Sequence, residues 1–181
     1  MAEFSLKNIE FCRHVFGDVR KLYFNSFPPE ERRSWDSIEN LLRDETSRYN
    51  VEILLQDEIF VGFISWWQFD SFCYIEHFAI LPHKRGGGFG TNAISKFRTL
   101  SKLPIVLEVE LSNEDIARRR VAFYERNGFE ACEQFKYIQP SYGEGLPAVP
   151  MMLMVANAPK DVDLQLITAD IYRYVYEADL C

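Results

Sequence analysis

The chain lacks the features that would announce a membrane protein, a disulfide framework, a metal centre or a nucleic-acid surface. No apolar run approaches the roughly 20 residues that a membrane helix needs. The opening residues Met1-Ala2-Glu3-Phe4-Ser5-Leu6-Lys7 have no basic region followed by an apolar one, so no signal peptide is expected. The four cysteines, Cys12, Cys73, Cys132 and Cys181, form no C-x-x-C pair and no zinc spacing, and reduced thiols in a cytoplasmic protein are the simplest reading. The three histidines, His14, His77 and His83, are too scattered to make a metal pattern with those cysteines, so no metal is expected. Positive charge is in deficit, with 20 Lys and Arg against 27 Asp and Glu for a net charge of −7, whereas phosphate backbones call for clustered cations. Neither nucleic acid nor membrane is expected as a partner. With no internal repeat, low-complexity stretch or linker, residues 1–181 read as one domain, a monomer or homodimer, whose 48% hydrophobic content suffices for a full core.

Glycine is sparse as well, yet four of the nine glycines crowd into Arg85-Gly86-Gly87-Gly88-Phe89-Gly90-Thr91. Before this stretch, Phe72-Cys73-Tyr74-Ile75-Glu76-His77-Phe78-Ala79-Ile80 has the aromatic and β-branched content of a strand. After it, Thr91 to Phe97 carries apolar residues at helical spacing. Glycines at a strand-to-helix junction let backbone N–H groups approach a bulky anion, and the helix start adds unpaired N–H groups and the positive end of its dipole. These are the physical parts of a phosphate cradle. A dinucleotide fingerprint is excluded by the glycine spacing and by the antiparallel strands that precede it. A P-loop is excluded because no Lys follows Gly90. The spacing [Gln or Arg]-x-x-Gly-x-[Gly or Ala] is met by Arg85, Gly88 and Gly90.

Around the cradle, residues 3–10 read as an edge strand and 11–26 as an amphipathic helix ended by Pro28-Pro29. A second helix carries Trp35, Ile38, Leu41 and Leu42 on one face. Strands over 51–55, 59–69 and 72–80 form an antiparallel meander. The helix over 88–101 leads to a strand over 105–111, an order that favours a parallel pair. Asn113 and Asp115 can cap a helix over about 115–127, stopped by Asn127-Gly128. Residues 129–138 and 149–156 read as two further strands, and a C-terminal helix is expected at about 160–178. The fold class is α+β: a mixed, mostly antiparallel central sheet of about seven strands with flanking helices, in α/β/α-like layers.

Two segments, 72–100 and 116–129, the latter ending Phe123-Tyr124-Glu125-Arg126-Asn127-Gly128-Phe129, resemble motifs A and B of the GNAT superfamily of acyl-CoA-dependent N-acyltransferases, and the order of elements is similar over almost the whole length. The resemblance implies the GNAT acyltransferase fold, acetyl-CoA as acyl donor with no metal, and transfer to a primary amine of a small molecule or peptide by direct attack in a ternary complex. It implies that Phe78, Ala79 and Ile80 lie along the pantetheine arm. Arg85, Gly86, Gly87, Gly88, Phe89, Gly90 and Thr91 would surround the pyrophosphate of coenzyme A, and Asn113 matches a further cofactor contact. Tyr124 matches the tyrosine that protonates the leaving thiolate.

The amine must lose a proton before it attacks, and a carboxylate or His can take it directly or through water. Glu76 and His77 are the candidates. As neighbours on a strand they are expected on opposite faces, and Glu76 is preferred because the family often carries a carboxylate there. The acceptor is expected between the Phe27–Trp35 segment, Trp66, Trp67 and the 137–146 loop, where Tyr137, Gln139, Tyr142 and Glu144 offer aromatic and polar contacts. The alternatives are a non-catalytic acyl-CoA-binding or sensor protein of the same fold, or an interaction module that docks a partner through the C-terminal helix.

Overall fold

The computed structural model describes residues 3–111 and 115–178. Its strands are β1 (Phe4–Asn8), β2 (Tyr49–Gln56), β3 (Ile59–Gln68), β4 (Cys73–Ile80), β5 (Ile105–Glu110), β6 (Glu130–Ala131), β7 (Tyr137–Gln139) and β8 (Val149–Ala156). The α-helices are α1 (Phe16–Ser26), α2 (Trp35–Arg43), α3 (Phe89–Leu100), α4 (Asp115–Arg126) and α5 (Leu164–Asp170), the last continuing as a π-helical turn over Ile171–Val175. One mixed sheet runs in the order β1-β2-β3-β4-β5-β8-β6, with β7 also paired to β8. Among the described residues β4–β5 is the only parallel pair, the one that the strand–helix–strand order of the sequence predicts.

The sheet separates two apolar layers. On one face α1, α2 and the C-terminal helix bury Tyr23, Trp35, Ile38, Ile167, Ile171 and Val175 against Val51, Ile53, Phe63, Trp67, Tyr74, Val106 and Leu153. On the other, α3 and α4 bury Ala93, Ile94, Phe97 and Tyr124 against Ile64, Cys73, Ile75, Leu107, Val109 and Met154. Strand alternation assigns the faces. It sends Trp66 to the α3 side, where it meets the Phe97 ring at 5.3 Å, and Trp67 to the α1 side. Trp66 therefore has no part in the acceptor region expected of it.

Three elements differ from expectation. The helix over 11–26 divides into a 3-10 stretch (Ile9–Val15), with Cys12 at φ −129, and then α1. The strand over 129–138 is broken by a turn in which the Phe135 amide bonds the Cys132 carbonyl at 3.0 Å, leaving β6 and β7 paired to opposite ends of β8. The C-terminal helix starts at Leu164 because Asp163, rather than Asp161, caps it by accepting from the Gln165 and Leu166 amides.

The most consequential irregularity is in the centre. Along β3–β4 the register runs Ser65 opposite His77 and then Trp66 opposite Ile75, so Glu76 is the extra residue of a β-bulge. The pairing of β4 with β5 stops at Ile75 opposite Leu107, and past that point the strands separate. Just beyond, β3 and β4 come so close at Gly62 that a Cβ there would lie 2.3 Å from the Ala79 carbonyl oxygen. Gly62→Ala is expected to cost about 1–3 kcal/mol, as overpacking does. At about 2–4 °C per kcal/mol for a chain this size, the melting temperature should drop by several degrees, measurable by thermal unfolding.

Candidate active site

Where β4 and β5 part, a cleft of about 720 Å³ passes through the sheet. Its donor-side wall is the glycine loop. Gly88, at φ +78, is the N-cap of α3 with no side-chain cap, so the first amides of the helix point outward without intrahelical acceptors. Gly86 has φ +80, and at neither Gly86 nor Gly88 would a Cβ meet any atom within 4 Å, so backbone conformation and an open approach, not packing, call for glycine here. At Gly90 a Cβ would press on the Phe123 ring at 3.2 Å, so this glycine sets the approach of α3 to α4. Arg85 donates from Nε to the Ile80 carbonyl at 3.1 Å and pins the loop to the end of β4. This cradle suits a pyrophosphate, and the β5-facing edge of β4 beyond Ile75 is free to pair with an extended, amide-bearing arm.

The predicted residues come together. Phe78, Ala79, Ile80, Arg85, Gly86, Gly88, Phe89, Gly90, Thr91, Glu76, His77 and Tyr124 all line the cleft, and Gly87 sits in the same loop without lining it. Asn113 lies outside the described residues. Tyr124, on α4, is buried, and its hydroxyl makes no hydrogen bond among the described residues. Burial pushes its pKa up to about 12, so it carries its proton at neutral pH.

Glu76 and His77 do not point to opposite faces. The bulge absorbs one residue of the alternation, and both side chains turn to the α1 side of the sheet. His77 is saturated: Nδ1 lies 3.2 Å from Ser65 Oγ, and Nε2 lies 3.0 Å from the Glu31 carbonyl, to which it donates. Burial depresses its pKa, so it stays neutral. The Glu76 side chain is fully buried and accepts three bonds: from Arg33 Nε at 2.7 Å, Trp67 Nε1 at 2.6 Å and the Tyr142 hydroxyl at 2.9 Å. Burial alone would raise its pKa, but the Arg33 guanidinium, with the hydrogen bonds of Trp67 and Tyr142, holds it below the ordinary carboxylate value.

Three residues of the site went unforeseen. Arg33, from the segment before α2, also donates from Nη2 to the Val175 carbonyl and tethers the C-terminal turn. Glu108, on β5, lines the cleft on the same face as Glu76. It accepts from the Tyr137 hydroxyl and from the Tyr176 hydroxyl at 3.0 and 3.2 Å. Burial raises its pKa to about 7 against the opposing effect of the Tyr137, Tyr74 and Tyr176 hydroxyls around it. Tyr176, beyond the π-helical turn, is the third. A signal for Glu108 was present in Ile105-Val106-Leu107-Glu108-Val109, since a carboxylate inside an otherwise buried strand needs a reason. Among the described residues, no three His, Cys, Asp or Glu side chains are grouped so as to hold a metal ion.

The site is thus an open wedge between two parallel strands, with an anion cradle at one end and two carboxylates, Glu76 and Glu108, at the other. Residues 15–129 match the family model "Acetyltransferase (GNAT) family", and the chain belongs to that family. A solved GNAT-family structure from Bacteroides thetaiotaomicron, titled "Putative acetyltransferase", superposes with a TM-score of 0.87 at 36% identity, covering 98% of this chain and 99% of that one. The Bacillus subtilis (strain 168) protein "Putative acetyltransferase YjbC" is 32% identical over 113 residues, 61% of this chain and 56% of its own length, so the match spans little more than half of that relative. Arabidopsis thaliana Naa50, solved with the bisubstrate analogue CoA-Ac-MVNAL, shares the fold with a TM-score of 0.62 at 17% identity, over 84% of this chain and 97% of that one. Among the described residues no helix is long and apolar enough to cross a membrane.

The Glu76–Arg33 pair generates a stability prediction. Arg33 has only 10% of its side-chain surface exposed, so Glu76→Gln would leave a buried guanidinium without its counter-charge, a loss of about 3–5 kcal/mol. The folded-state pKa of Glu76 lies below its ordinary 4.5, so its contribution is complete above that value and lost as pH falls through the folded pKa. Denaturant unfolding at pH 7 should therefore separate the variant widely from the parent, and the gap should close in strong acid.

Proposed function

We propose that the protein is a single-domain, acetyl-CoA-dependent N-acetyltransferase of the cytoplasm, acting on a primary amine of a small molecule or peptide through a ternary complex. The observation that carries this reading is the cleft itself, which crosses the sheet from the glycine cradle to the buried carboxylates on the α1 side. A neighbour of the same fold holds a coenzyme A–peptide bisubstrate analogue, in keeping with a donor and an acceptor bound together. The free thiols of Cys12, Cys73 and Cys132 are compatible with a reducing compartment.

Acetyl-CoA supplies the activated acyl group. The amides of residues 86–91 would hold its pyrophosphate, aided by the dipole of α3. The free edge of Phe78, Ala79 and Ile80 would align the pantetheine arm so that the thioester enters the gap beside Ile75 and Leu107. The amine approaches from the opposite side, past Phe27, Gln139 and Tyr142, which line that end of the cleft. There, where Glu76 and Glu108 also line the cleft, the ammonium form gives up one proton. The neutral amine attacks the acetyl carbon, a C–N bond forms, and the C–S bond breaks with its electron pair on sulfur. Tyr124 gives its proton to that sulfur, and the phenolate regains one from the amide nitrogen by way of water. The net products are the acetylated amine, the free thiol and one proton. No covalent enzyme intermediate is needed, so the cysteines have no step to perform.

Free-thiol release from acetyl-CoA, followed across a panel of primary amines that includes peptide N-termini, tests the proposal. Saturable turnover is expected. Coenzyme A binding with no turnover on any amine would favour a sensor of the same fold. Tyr124→Phe keeps the buried ring and removes the proton donor, so kcat should fall roughly 100-fold with little change in KM for acetyl-CoA. Gly88→Val forces a β-branched residue to φ +78. At about 1–2 kcal/mol for such backbone alone, calorimetry should find coenzyme A binding weakened tenfold or more; unchanged affinity would refute the cradle.

A further inference from the structure

Two of the acid–base groups facing the acceptor half of the cleft are held in one protonation state. Glu76 is paired with a guanidinium and also bonded by an indole and a phenol, which keeps it ionised. Both nitrogens of His77 are engaged. Glu108 differs in kind, because its hydrogen-bond partners are neutral phenols and no cation holds it ionised. It stands on β5 one residue past the last paired position, Leu107, where the gap begins.

We propose that Glu108 receives the proton of the acceptor amine and that Tyr176 is the positioning residue that holds the Glu108 carboxylate in the gap. This rests on the N-acetyltransferase reading above and adds to it the atom that takes the proton. The carboxylate takes one proton from the ammonium, the neutral amine attacks, and the carboxylic acid returns that proton to solvent before the next turnover.

Proton counting supports the role of Tyr176. The Tyr142 hydroxyl donates its one proton to Glu76, so at 3.4 Å from Tyr176 it can only accept. The Tyr74 hydroxyl, 3.2 Å from that of Tyr176, can donate to it and leave the Tyr176 proton for Glu108. Tyr176 touches both Glu108 oxygens, at 3.2 and 3.0 Å, closer than its 3.4 Å to Tyr142, so its single proton goes to Glu108 and not to Tyr142. Its placement comes from the C-terminal turn. The π-helical register over Ile171–Val175 ends with the Tyr176 amide on the Ile171 carbonyl at 3.3 Å, while the Val175 carbonyl accepts from Arg33. The groups facing Glu108 are Tyr74 and Glu76 of β4, Tyr137 of β7, Tyr142 of the loop and Tyr176, with Glu110 beside it on its own strand and Glu31 paired to Glu110 across the cleft mouth. Burial, and to a smaller extent the Glu76 charge, push Glu108 toward its neutral form, and the phenols oppose them, with a balance at about 7.

The test is kcat/KM against pH for the parent, Glu108→Gln and Tyr176→Phe, with acetyl-CoA and whichever amine of the panel is turned over fastest. Melting temperature and coenzyme A affinity are measured on each. The parent should gain rate as pH rises through about 7, well below the titration of an alkylamine. Glu108→Gln should lose roughly 100- to 10,000-fold together with that inflection, at unchanged coenzyme A affinity. Tyr176→Phe removes a hydrogen bond that favours the ionised carboxylate, so its inflection should move up by about one pH unit. It also stands as the informative variant if Glu108→Gln does not fold. A parent-like rate and inflection in Glu108→Gln would overturn the proposal and leave the acetyltransferase reading standing. A Tyr176→Phe profile lowered equally at every pH, with its inflection unmoved, would reduce Tyr176 to a structural part and overturn its positioning role. Failure of the parent on every amine would instead refute the acetyltransferase reading, and with it the proton acceptor.

Discussion

The structure depends on an interruption. Two parallel strands at the centre of a sheet normally stay paired along their length, because unpaired backbone groups inside a protein are costly. Here β4 leaves β5 after Ile75, at the residue where Glu76 bulges from the β3–β4 ladder. A bulge increases local twist, and that twist carries the end of β4 away from its neighbour while β3 remains bonded to its other edge. The sheet thereby gains a passage between its two faces, and it keeps a strand edge whose donors and acceptors are available to a bound chain. The glycine loop follows directly from the end of β4, so the same divergence aims the start of α3 at the mouth of the passage.

The bulge also decides the chemistry of the acceptor side. With regular alternation only one of Glu76 and His77 would face α1. With the extra residue both do, and two polar side chains enter a layer made largely of aromatic rings. Their burial is offset locally. Tyr23 and Phe27 pack edge-on against His77, with ring centroids at 4.8 and 4.6 Å, and Arg33 supplies the counter-charge to Glu76. The same guanidinium binds the Val175 carbonyl, so the neutralisation of Glu76 and the docking of the C-terminal turn are one arrangement. Two buried carboxylates on adjacent strands thus have opposite environments: cation-paired and ionised at Glu76, phenol-bonded and balanced near neutrality at Glu108. Divergent environments of this kind are how one site can hold a fixed charge and a titrating group together.

Much of this was legible in the sequence, and what was not has definite causes. The glycine stretch, the meander before it, the parallel pair after it and the Phe123-Tyr124 helix all follow from local spacing and turn chemistry, which is why the glycine loop could be placed between β4 and α3. The bulge could not be read, because Cys73 to Ile80 is an unbroken run of good strand formers and the extra residue exists only relative to the register of β3. The error over Glu76 and His77 follows from that alone. Arg33 and Tyr176 escaped because they act 43 residues before and 100 residues after Glu76, and such pairings are set by packing of whole layers. Tyr172, Tyr174 and Tyr176 alternate in sequence, a spacing that spreads them around a helix. Yet residues four apart share a helix face, so Tyr172 and Tyr176 both reach inward while Tyr174 packs outward on Phe69 and Arg48. Glu108 was the residue that spacing could have revealed, as the polar break on the second face of β5.

The division of the cleft between faces bears on how proton donor and acceptor are kept apart. Tyr124 belongs to the α3–α4 layer, and Glu76 and Glu108 to the opposite one. A tyrosine and a carboxylate side by side would bond to each other, and the hydroxyl would then be committed before any substrate arrived. That commitment is visible at Tyr137, Tyr142 and Tyr176, whose hydroxyls all bond carboxylates on the α1 side. Tyr124 escapes it because the sheet stands between, open only at the gap. On the proposed reading, the reacting carbon sits in that gap and is the one point both layers reach. An uncommitted hydroxyl on one side and a titrating carboxylate on the other are then both consequences of a single break in strand pairing.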